Sequence, residues 1–399
     1  MVLLLIINMS DIVIVGAKRT PIGKFGGVLK DLSAVELGTI AARGALQESN
    51  ISNEAIQHVI FGNVLQANNG QNPARQISIH SQIPHTTPAM TINEVCGSGL
   101  KAIILGIQSL KLGDAQAVLV GGTESMSNAP YYLTKERFGA RYGHQTVTDS
   151  ILQDGLTDAF HHIHMGITAE HVAEHFSISR QEQDEFALHS HQKAAQAKAF
   201  HARDIEPITL YTKKGHTTIT EDEGIREHLT IEQLSALKPA FKENGSVSAG
   251  NASSLNDGAA ALVLTTRSFA QKHHLPILAS IIDYAEAGND PKYMGFAPYY
   301  AIEQLCKKTG LTLEQFDSIE SNEAFAAQSL ALAHELNFDM TKVNQFGGAI
   351  SLGHPIGASG ARIVVTLLNT LKQTKGHYGL ATLCVGGGIG LALALKNEQ

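Results

Sequence analysis

The chain has 399 residues, of which 43% are hydrophobic and 17% are charged, as expected for a soluble globular protein of two or three domains. A formal net charge of −7 and a pI near 6.2 argue against nucleic acid as a partner. Three cysteines, an odd number in a long chain, argue against a disulfide scaffold and for a reducing compartment, so we expect a cytoplasmic protein.

The chain begins with an apolar run over residues 2–7. This run is too short to span a bilayer and lacks a basic segment before it. Because Met9 leads directly into a predicted strand, we expect Met9 to be an alternative start and the first eight residues to be dispensable. No other segment predicts a membrane span.

Strands and helices alternate along the first 124 residues with the spacing of an α/β fold. A strand is predicted over 11–16, with a loop over 17–23. A helix over 33–49 begins with a capping box formed by Ser33 and Glu36. A strand over 58–62, a helix beginning within 71–75 and a strand over 117–120, which we expect to end at Gly121, complete this part.

Cys96 lies between a short strand, 88–92, and a helix, 100–112, that is apolar on almost every face. A helix with this pattern is buried. The helix dipole at its N-terminus favours an anion, so we expect the Cys96 thiolate to form more easily than in an exposed cysteine. Gly97 and Gly99 are expected to leave room for a ligand beside the sulfur. The alternative is a small buried cysteine with a packing role only.

Residues 125–249 are rich in histidine, glutamine and charged residues, with helices predicted over 166–176 and 180–199, which indicates a loop domain inserted into the α/β framework. The framework resumes with a strand over 260–264. A second α/β unit begins near residue 276 and repeats the first. The stretch 98–101 with its apolar helix corresponds to 359–362 with the helix 363–371, and the strand 118–122 corresponds to 383–387.

The repeat predicts three parts. Residues 1–124 and 250–273 form an N-terminal half, residues 125–249 form the inserted loop domain, and residues 274–399 form a C-terminal half.

Four short stretches carry side chains suited to catalysis. They are 95–99 around Cys96, 322–325 beginning with Asn322, 353–355 around His354, and 384–388 beginning with Cys384. Cys96 begins the buried helix of one half and His354 precedes the equivalent helix of the other, so both can face one cleft between the halves. A cysteine, a histidine and a second cysteine at one cleft form a nucleophile–base arrangement.

These four stretches, in this order and at these separations, resemble the thiolase family, and the resemblance extends from about residue 11 to residue 395. Further matching stretches are 17–21, 164–170, 249–253 and 290–295. The resemblance implies a fold with two similar βαβαβαββ halves in a five-layered α/β/α/β/α arrangement, together with the inserted loop domain.

The resemblance also implies an acetyl-CoA C-acetyltransferase, which joins two acetyl-CoA molecules into acetoacetyl-CoA and CoA by a reversible Claisen condensation. Cys96 would carry the acyl group, His354 would accept the Cys96 proton, and Cys384 would remove the α-proton of the second acetyl-CoA. His354 and a water held by Asn322 would stabilise the enolate oxygen. The backbone N–H groups of Cys96 and Gly386 would stabilise the tetrahedral intermediate.

By the same resemblance, CoA is substrate and product, no metal or bound cofactor is required, and the protein is a homo-oligomer, a dimer or a tetramer built of dimers, with neither nucleic acid nor membrane as partner. Ser253 would hydrogen-bond the pantetheine chain, and Arg226 would lie near the nucleotide end of CoA. The positions expected to contact CoA are Leu156, His164, Arg226, Phe241, Ala249, Ser253 and Met294.

The resemblance leaves two roles in lipid metabolism open, a biosynthetic acetoacetyl-CoA-forming enzyme and a degradative 3-ketoacyl-CoA thiolase of fatty-acid oxidation. His164 before Met165-Gly166 favours the short-chain enzyme. Glu94 stands where thiolases usually have glutamine, and Ser351 varies beside the histidine stretch. Such departures touch no catalytic side chain but bear on acyl-chain preference.

Other interpretations fit less well. His171 and His175, four residues apart in a His-x-x-Glu-His pattern, could bind zinc from one helix face, but this segment resembles a thiolase helix without a catalytic role. The glycines of 386–390 precede a predicted strand, 391–395, and not the helix of a dinucleotide-binding loop. Cys306 is expected to lie in the core.

Two further classes of protein with a similar fold, ketoacyl synthases and relatives without catalytic activity, fit this pattern less well. Ketoacyl synthases use two histidines where this chain has Asn322 and Cys384. A lipid carrier or structural relative without catalytic activity would not need the intact cysteine, asparagine, histidine and cysteine set. The thiolase interpretation is therefore preferred.

Overall fold

The computed structural model of the protein describes residues 8–213 and 215–399. Residues 1–7 lie outside these ranges, so the dispensable N-terminal segment stays a prediction.

The strands are, in chain order, β1 (Ile12–Arg19), β2 (Gly23–Lys24), β3 (His58–Gly62), β4 (Ala89–Ile92), β5 (Ala117–Ser125), β6 (Tyr131–Tyr132), β7 (Thr148–Asp149), β8 (Ile208–Thr212), β9 (Gly215–Ile219), β10 (Asn256–Thr266), β11 (Ala279–Gly288), β12 (Ser318–Ser321), β13 (Tyr378–Val385) and β14 (Ile389–Asn397). The α-helices are α1 (Ala34–Ser49), α2 (Pro73–His80), α3 (Ser98–Leu112), α4 (Met165–His175), α5 (Arg180–Gln196), α6 (Lys198–Asp204), α7 (Ile231–Ser235), α8 (Arg267–Lys272), α9 (Pro298–Thr309), α10 (Ala326–Glu335), α11 (Ala349–Leu352) and α12 (Ser359–Thr374).

Local signals explain where the predicted helices begin and end. At the start of α1, the backbone N–H of Glu36 donates to Ser33 Oγ and the Glu36 carboxylate accepts from the backbone N–H of Ser33, so the predicted capping box is confirmed. At the end of α3, Gly113 adopts a left-handed conformation with φ of 78°, which a glycine does at little cost. The predicted helix around residues 100–112 is therefore confirmed.

Ten strands form one mixed sheet in the order β12-β13-β14-β11-β1-β10-β5-β3-β4, with β2 paired to β10. In the N-terminal half, β5 lies between parallel β3 and antiparallel β10. In the C-terminal half, β13 lies between parallel β12 and antiparallel β14. Strands β1 and β11 join the halves through the pair Val13 and Ser280. The matching neighbours of β5 and β13 confirm the internal repeat.

Three hydrophobic clusters place the helices against this sheet. The central cluster joins α3 and α12 to both sheet halves, through residues such as Leu100, Ile103 and Val364. Helices α1 and α2 pack on the other face of the N-terminal half, and α9 packs on the other face of the C-terminal half. Because α3 and α12 lie between the two halves of this one sheet, the layers run helix, half-sheet, helix, half-sheet, helix. The predicted five-layered α/β/α/β/α fold is confirmed.

Two strand ends differ from the prediction. Strand β5 does not end at Gly121 but continues to Ser125, buried throughout and paired with β10 along its length. A Cβ atom at Gly122 would lie 2.0 Å from the carbonyl oxygen of Gly357, so this glycine permits close packing and does not form a turn. Strand β1 likewise continues to Arg19, because its backbone stays paired with β10 up to the pair of Arg19 and Ala260. The buried Arg19 guanidinium is paired with Asp222, about 200 residues later in the chain.

After Ser125, the last residue of β5, the described residues up to 249 form α4 to α7 and two separate strand pairs, β6 with β7 and β8 with β9, and none of these strands joins the central sheet. The division of the chain at residues 124, 249 and 273 stays a prediction. Within the described ranges, one helical stretch, Val95–Leu112, is long and apolar enough to cross a membrane, and its largely buried residues include the central helix α3.

Candidate active site

A cavity of about 520 Å³ lies where the two halves and the inserted segment meet. Its volume is within the usual range for small-molecule sites. The predicted site residues that line it are Cys96, Leu156, His164, Arg226, Phe241, Ala249, Ser253, Met294, His354 and Cys384. Two predicted residues lie just outside: Asn322 is buried behind His354, and the backbone of Gly386 is beside the Cys96 sulfur.

Cys96 lies on a strained turn before α3. Val95, a β-branched residue, has a φ of 45°, a conformation that such residues rarely adopt. Hydrogen bonds hold this turn: Ser98 Oγ donates to the carbonyl oxygen of Val95 and accepts from the backbone N–H of Glu94, at 2.7 and 2.8 Å. Observed strain of this kind is a feature of functional turns, where the surrounding structure enforces it.

The prediction that Gly97 and Gly99 leave room for a ligand beside the sulfur is wrong, because protein atoms fill the space next to both glycines. A Cβ atom at Gly97 would lie 2.7 Å from a methyl carbon of Leu391, and one at Gly99 would lie 2.6 Å from the backbone nitrogen of Ala361. Both glycines therefore allow the turn around Cys96 to pack closely on the C-terminal half.

The predicted ease of forming the Cys96 thiolate is also not found. Burial raises the pKa of the Cys96 thiol to about 12, although hydrogen bonds from the backbone N–H groups of Gly386 and Cys96 itself lower it. The nearby carboxylate of Glu124 raises the pKa further. The desolvation of a thiolate in this apolar setting outweighs the helix dipole, so the resting group is a thiol.

His354 lies in the loop between α11 and α12, where its backbone N–H donates to Asn256 Oδ1 at 2.8 Å. Its Nδ1 is 2.6 Å from Ser359 Oγ, which in turn is 3.0 Å from the carbonyl oxygen of Pro355. Because that carbonyl can only accept, we assign the Ser359 proton to it and the His354 proton to Nδ1. Nε2, which has no hydrogen-bond partner in the described residues, is then free to accept a proton.

Burial, and secondarily the charge of Arg362, lower the pKa of His354 to about 3. The resting imidazole is therefore neutral, as the accepting role of Nε2 requires.

Cys384 is the next-to-last residue of β13, and its Sγ donates to Gln328 Oε1 at 3.3 Å. Burial raises its pKa, and so does the neighbouring Cys96. After Cys384, Gly387 and Gly388 both have φ near 90°, which only glycine adopts readily, and the chain turns directly into β14. The predicted strand after the glycines is confirmed, which removes the dinucleotide-loop alternative.

The inserted segment supplies an aromatic wall of the cavity. The His164 ring stacks on Phe241 with centroids 4.7 Å apart, and Phe325 meets Phe241 edge-on. A Cβ atom at Gly166 would lie 2.2 Å from the Phe241 ring, so this glycine makes room for the stack.

Several lining residues were not predicted, namely Met126, Asp149, Ile151, Leu152, Met165, Phe325 and Ile356. Ile151 and Leu152 belong to a π-helical segment, Ile151–Leu156, of the kind often found at functional sites. Met165 and Phe325 lie within stretches singled out in the sequence, 164–170 and 322–325, so those stretches were a signal for them. Met126, Ile151 and Leu152 resemble ordinary core residues, and no local pattern marked them.

The alternative histidine pattern has a packing environment. The rings of His171 and His175 lie 6.3 and 5.2 Å from the ring of Tyr293, and Glu174 pairs with Lys242. In residues 8–213 and 215–399, no group of three or more His, Cys, Asp or Glu side chains is arranged to hold a metal ion. Cys306 packs against the cluster under α9, as expected for a core residue.

Comparison with known proteins identifies relatives of the whole chain. Residues 12–268 match the family model for the thiolase N-terminal domain, and residues 275–397 match the model for the thiolase C-terminal domain. An acetyl-CoA acetyltransferase of Pseudomonas aeruginosa is 50% identical over 393 residues, covering 98% of this chain and 100% of that protein.

Two crystal structures are similar throughout. The Bacillus anthracis acetyl-CoA acetyltransferase superimposes with a TM-score of 0.95 at 42% identity, covering 97% of this chain and 98% of that one. Human mitochondrial 3-ketoacyl-CoA thiolase in complex with CoA superimposes with a TM-score of 0.94 at 41% identity, covering 98% of this chain and 99% of that one.

Proposed function

Since the chain belongs to the thiolase family and is an acyltransferase, we propose that it joins two molecules of acetyl-CoA, reversibly, into acetoacetyl-CoA and CoA. The observation that carries this proposal is that Cys96, His354 and Cys384, which lie far apart in the chain, line a single cavity. A thiol nucleophile, a neutral imidazole acceptor and a second thiol are the groups that this chemistry needs.

In the first step, Cys96 Sγ attacks the thioester carbonyl of acetyl-CoA while its proton passes to His354 Nε2. Because the thiol has a raised pKa, its proton must leave as the new S–C bond forms. The N–H groups of Cys96 and Gly386 bind the oxygen of the tetrahedral intermediate. Their hydrogen bonds to the Cys96 sulfur are the support for this role.

As the carbonyl re-forms, the C–S bond to CoA breaks and the CoA sulfur takes a proton from Cys384. This leaves an acetyl group on Cys96, a cationic His354 and a Cys384 thiolate. Since burial raises the pKa of Cys384, its thiolate is a strong base, suited to the weakly acidic α-proton of a thioester.

In the second step, Cys384 removes an α-proton from a second acetyl-CoA. The enolate oxygen is stabilised by the Nε2–H of cationic His354 and by a water held by Asn322. The enolate carbon then attacks the acetyl group on Cys96, the Cys96 sulfur leaves, and it regains its proton from His354. Every proton is returned, and acetoacetyl-CoA is released.

We place the pantetheine arm of CoA along the aromatic wall, with Ser253 as a hydrogen-bond partner and Leu156, Phe241 and Met294 as apolar contacts, since all four line the cavity. Arg226 and Ala249 line this cavity and also a neighbouring opening that contains Lys24 and His191. A cation at this position suits the phosphate-bearing end of CoA.

A second candidate is a degradative 3-ketoacyl-CoA thiolase, favoured by the similarity to the human enzyme of that name. The two are separated by measuring thiolysis with free CoA against 3-ketoacyl-CoA chain length. We predict the highest kcat/KM with acetoacetyl-CoA and a decline of at least about tenfold for long chains, since a single methylene that does not fit a pocket costs about this factor. Equal or faster rates on long chains would favour the degradative enzyme, and no thiolysis at any length would refute both.

The family resemblance also supports three proposals about the whole protein. It would form a homo-oligomer, lie in the cytoplasm and act without a resident metal or cofactor. The outer edge of β4 has no partner strand in the described residues, and Met90 on this strand is 46% exposed, which suits an interface. Sedimentation analysis tests the assembly. Dialysis against a chelator in the thiolysis assay should leave the rate unchanged.

A further inference from the structure

Arg362, in the first turn of α12, is a buried cation directly beneath the candidate active site. Its Nη2 donates to Asn322 Oδ1 at 3.2 Å, and its Nη1 lies 3.7 Å from Glu320 Oε2. Its Nε and Nη1 make no hydrogen bond in the described residues. A buried, incompletely bonded guanidinium is costly, so its presence calls for a reason other than stability.

The chemistry of the guanidinium determines how Asn322 is oriented. Arginine carries only donors, so the Asn322 atom that it contacts must be the carbonyl oxygen. The amide NH₂ group is thereby directed to the opposite side, where Nδ2 lies 3.4 Å from His354 Nδ1. Because Nδ1 carries its own proton, these two donors do not bond to each other, and the NH₂ group is left to hold a water. Without such a partner, an asparagine amide can turn over and exchange its donor for its acceptor.

The position of Arg362 also fits an electrostatic role. Its charge contributes, after burial, to the lowered pKa of His354. Glu320, its carboxylate partner, has a pKa raised to about 8 by burial. The cation is therefore incompletely neutralised close to the site.

We propose that Arg362 is a positioning residue for the condensation step, which holds the Asn322 amide with its NH₂ group toward His354, so that this group can hold the water that stabilises the enolate oxygen. The proposal rests on the proposed function. Acetyl transfer to Cys96 does not use Asn322, and loss of the Arg362 charge would make His354 a slightly better base, so this half-reaction should not be slowed by loss of Arg362. The structure thus predicts that loss of Arg362 affects one half-reaction and spares the other.

The test compares Arg362→Met with Arg362→Lys. Arg362→Met removes every donor, and we expect the condensation kcat to fall about 100-fold, the size of effect seen when one donor to a developing oxyanion is lost. The rate of Cys96 acetylation in a single turnover, and the KM for acetyl-CoA, should change by less than about threefold. Arg362→Lys retains a donor for Asn322 Oδ1 and should recover part of the condensation rate.

Two further variants control for a structural effect. Glu320→Gln removes the carboxylate beside Arg362 Nη1 and leaves the hydrogen bond from Arg362 Nη2 to Asn322, so the condensation kcat should fall by less than about threefold. In an Asn322→Ala background, Arg362→Met should cause little additional loss in condensation, because both changes remove one interaction. If Arg362→Met does not fold, the partial loss expected in Arg362→Lys is measured instead, and it must again fall on condensation and spare Cys96 acetylation.

Equal losses in acetylation and condensation, or full additivity with Asn322→Ala, would overturn the proposal. An unmodified protein that cannot condense acetyl-CoA at all would instead refute the proposed function, so the two failures are distinguishable.

Discussion

At the scale of single residues, the proposed catalytic side chains are set by polar partners outside the cavity. Ser359 determines which nitrogen of His354 carries the proton, and Gln328 Oε1 accepts a hydrogen bond from the Cys384 thiol. Ser359 lies five positions after His354, and Gln328 lies 56 positions before Cys384. No common sequence pattern therefore marks these partners. The residues proposed as catalytic were recognisable in the sequence, whereas the groups that set their protonation were not.

The raised pKa of Cys96 gives a test at this scale. Below its pKa, the thiolate fraction of a thiol rises tenfold per pH unit, so alkylation of Cys96 by iodoacetamide should accelerate about tenfold per unit from about pH 7 to about pH 9. The measurement is the rate at which Cys96 is alkylated at each pH, followed by mass spectrometry of its peptide. Cys96→Ser, which retains Cys306 and Cys384, gives the background alkylation of the other two cysteines.

A rate that levels off below about pH 8 would contradict this expectation, since it would indicate a preformed thiolate paired with a cationic His354.

At the scale of elements, the contact between α3 and α12 brings the two halves of the site together. Gly99 faces the backbone of Ala361, and Gly360 faces the backbone of Leu100, so the two equivalent helices pack through small residues near their N-termini. Cys96 precedes one helix and His354 the other. A small shift at this crossing therefore changes the distance between Cys96 and His354.

Gly99→Ala tests this contact. The added Cβ atom would lie 2.6 Å from a backbone nitrogen that cannot move aside, and we expect a loss of about 1–3 kcal/mol in the free energy of unfolding, together with a reduced thiolysis rate. Gly44→Ala, in the interior of α1, is the matched control. There the Cβ atom meets only the flexible side chain of Glu206, and alanine is the better helix former.

Denaturant unfolding and thiolysis rates of both variants provide the measurement. An equal response of the two variants would show that the crossing of α3 and α12 is not specially constrained.

At the scale of the whole molecule, the sequence revealed the repeat, because the α3 and α12 helices and the β5 and β13 strands have similar patterns at similar spacing. It did not reveal where distant segments approach closely. Gly122 resembled a turn residue but lies against Gly357. The helix dipole predicted an easily formed Cys96 thiolate, but burial of the sulfur raises its pKa. Local patterns predict elements, whereas desolvation and close packing depend on residues far along the chain.

The most direct test of the proposed function is to locate the acetyl group during the reaction. Purified protein is mixed with acetyl-CoA and quenched in acid, and the acetylated peptide is identified by mass spectrometry while acetoacetyl-CoA is measured in parallel. We predict acetylation at Cys96 in the unmodified protein and in Cys384→Ala, with condensation by Cys384→Ala reduced at least about a thousandfold. Cys96→Ala should do neither. Acetylation of Cys96→Ala at another cysteine with continued condensation, or undiminished condensation by Cys384→Ala, would contradict the account.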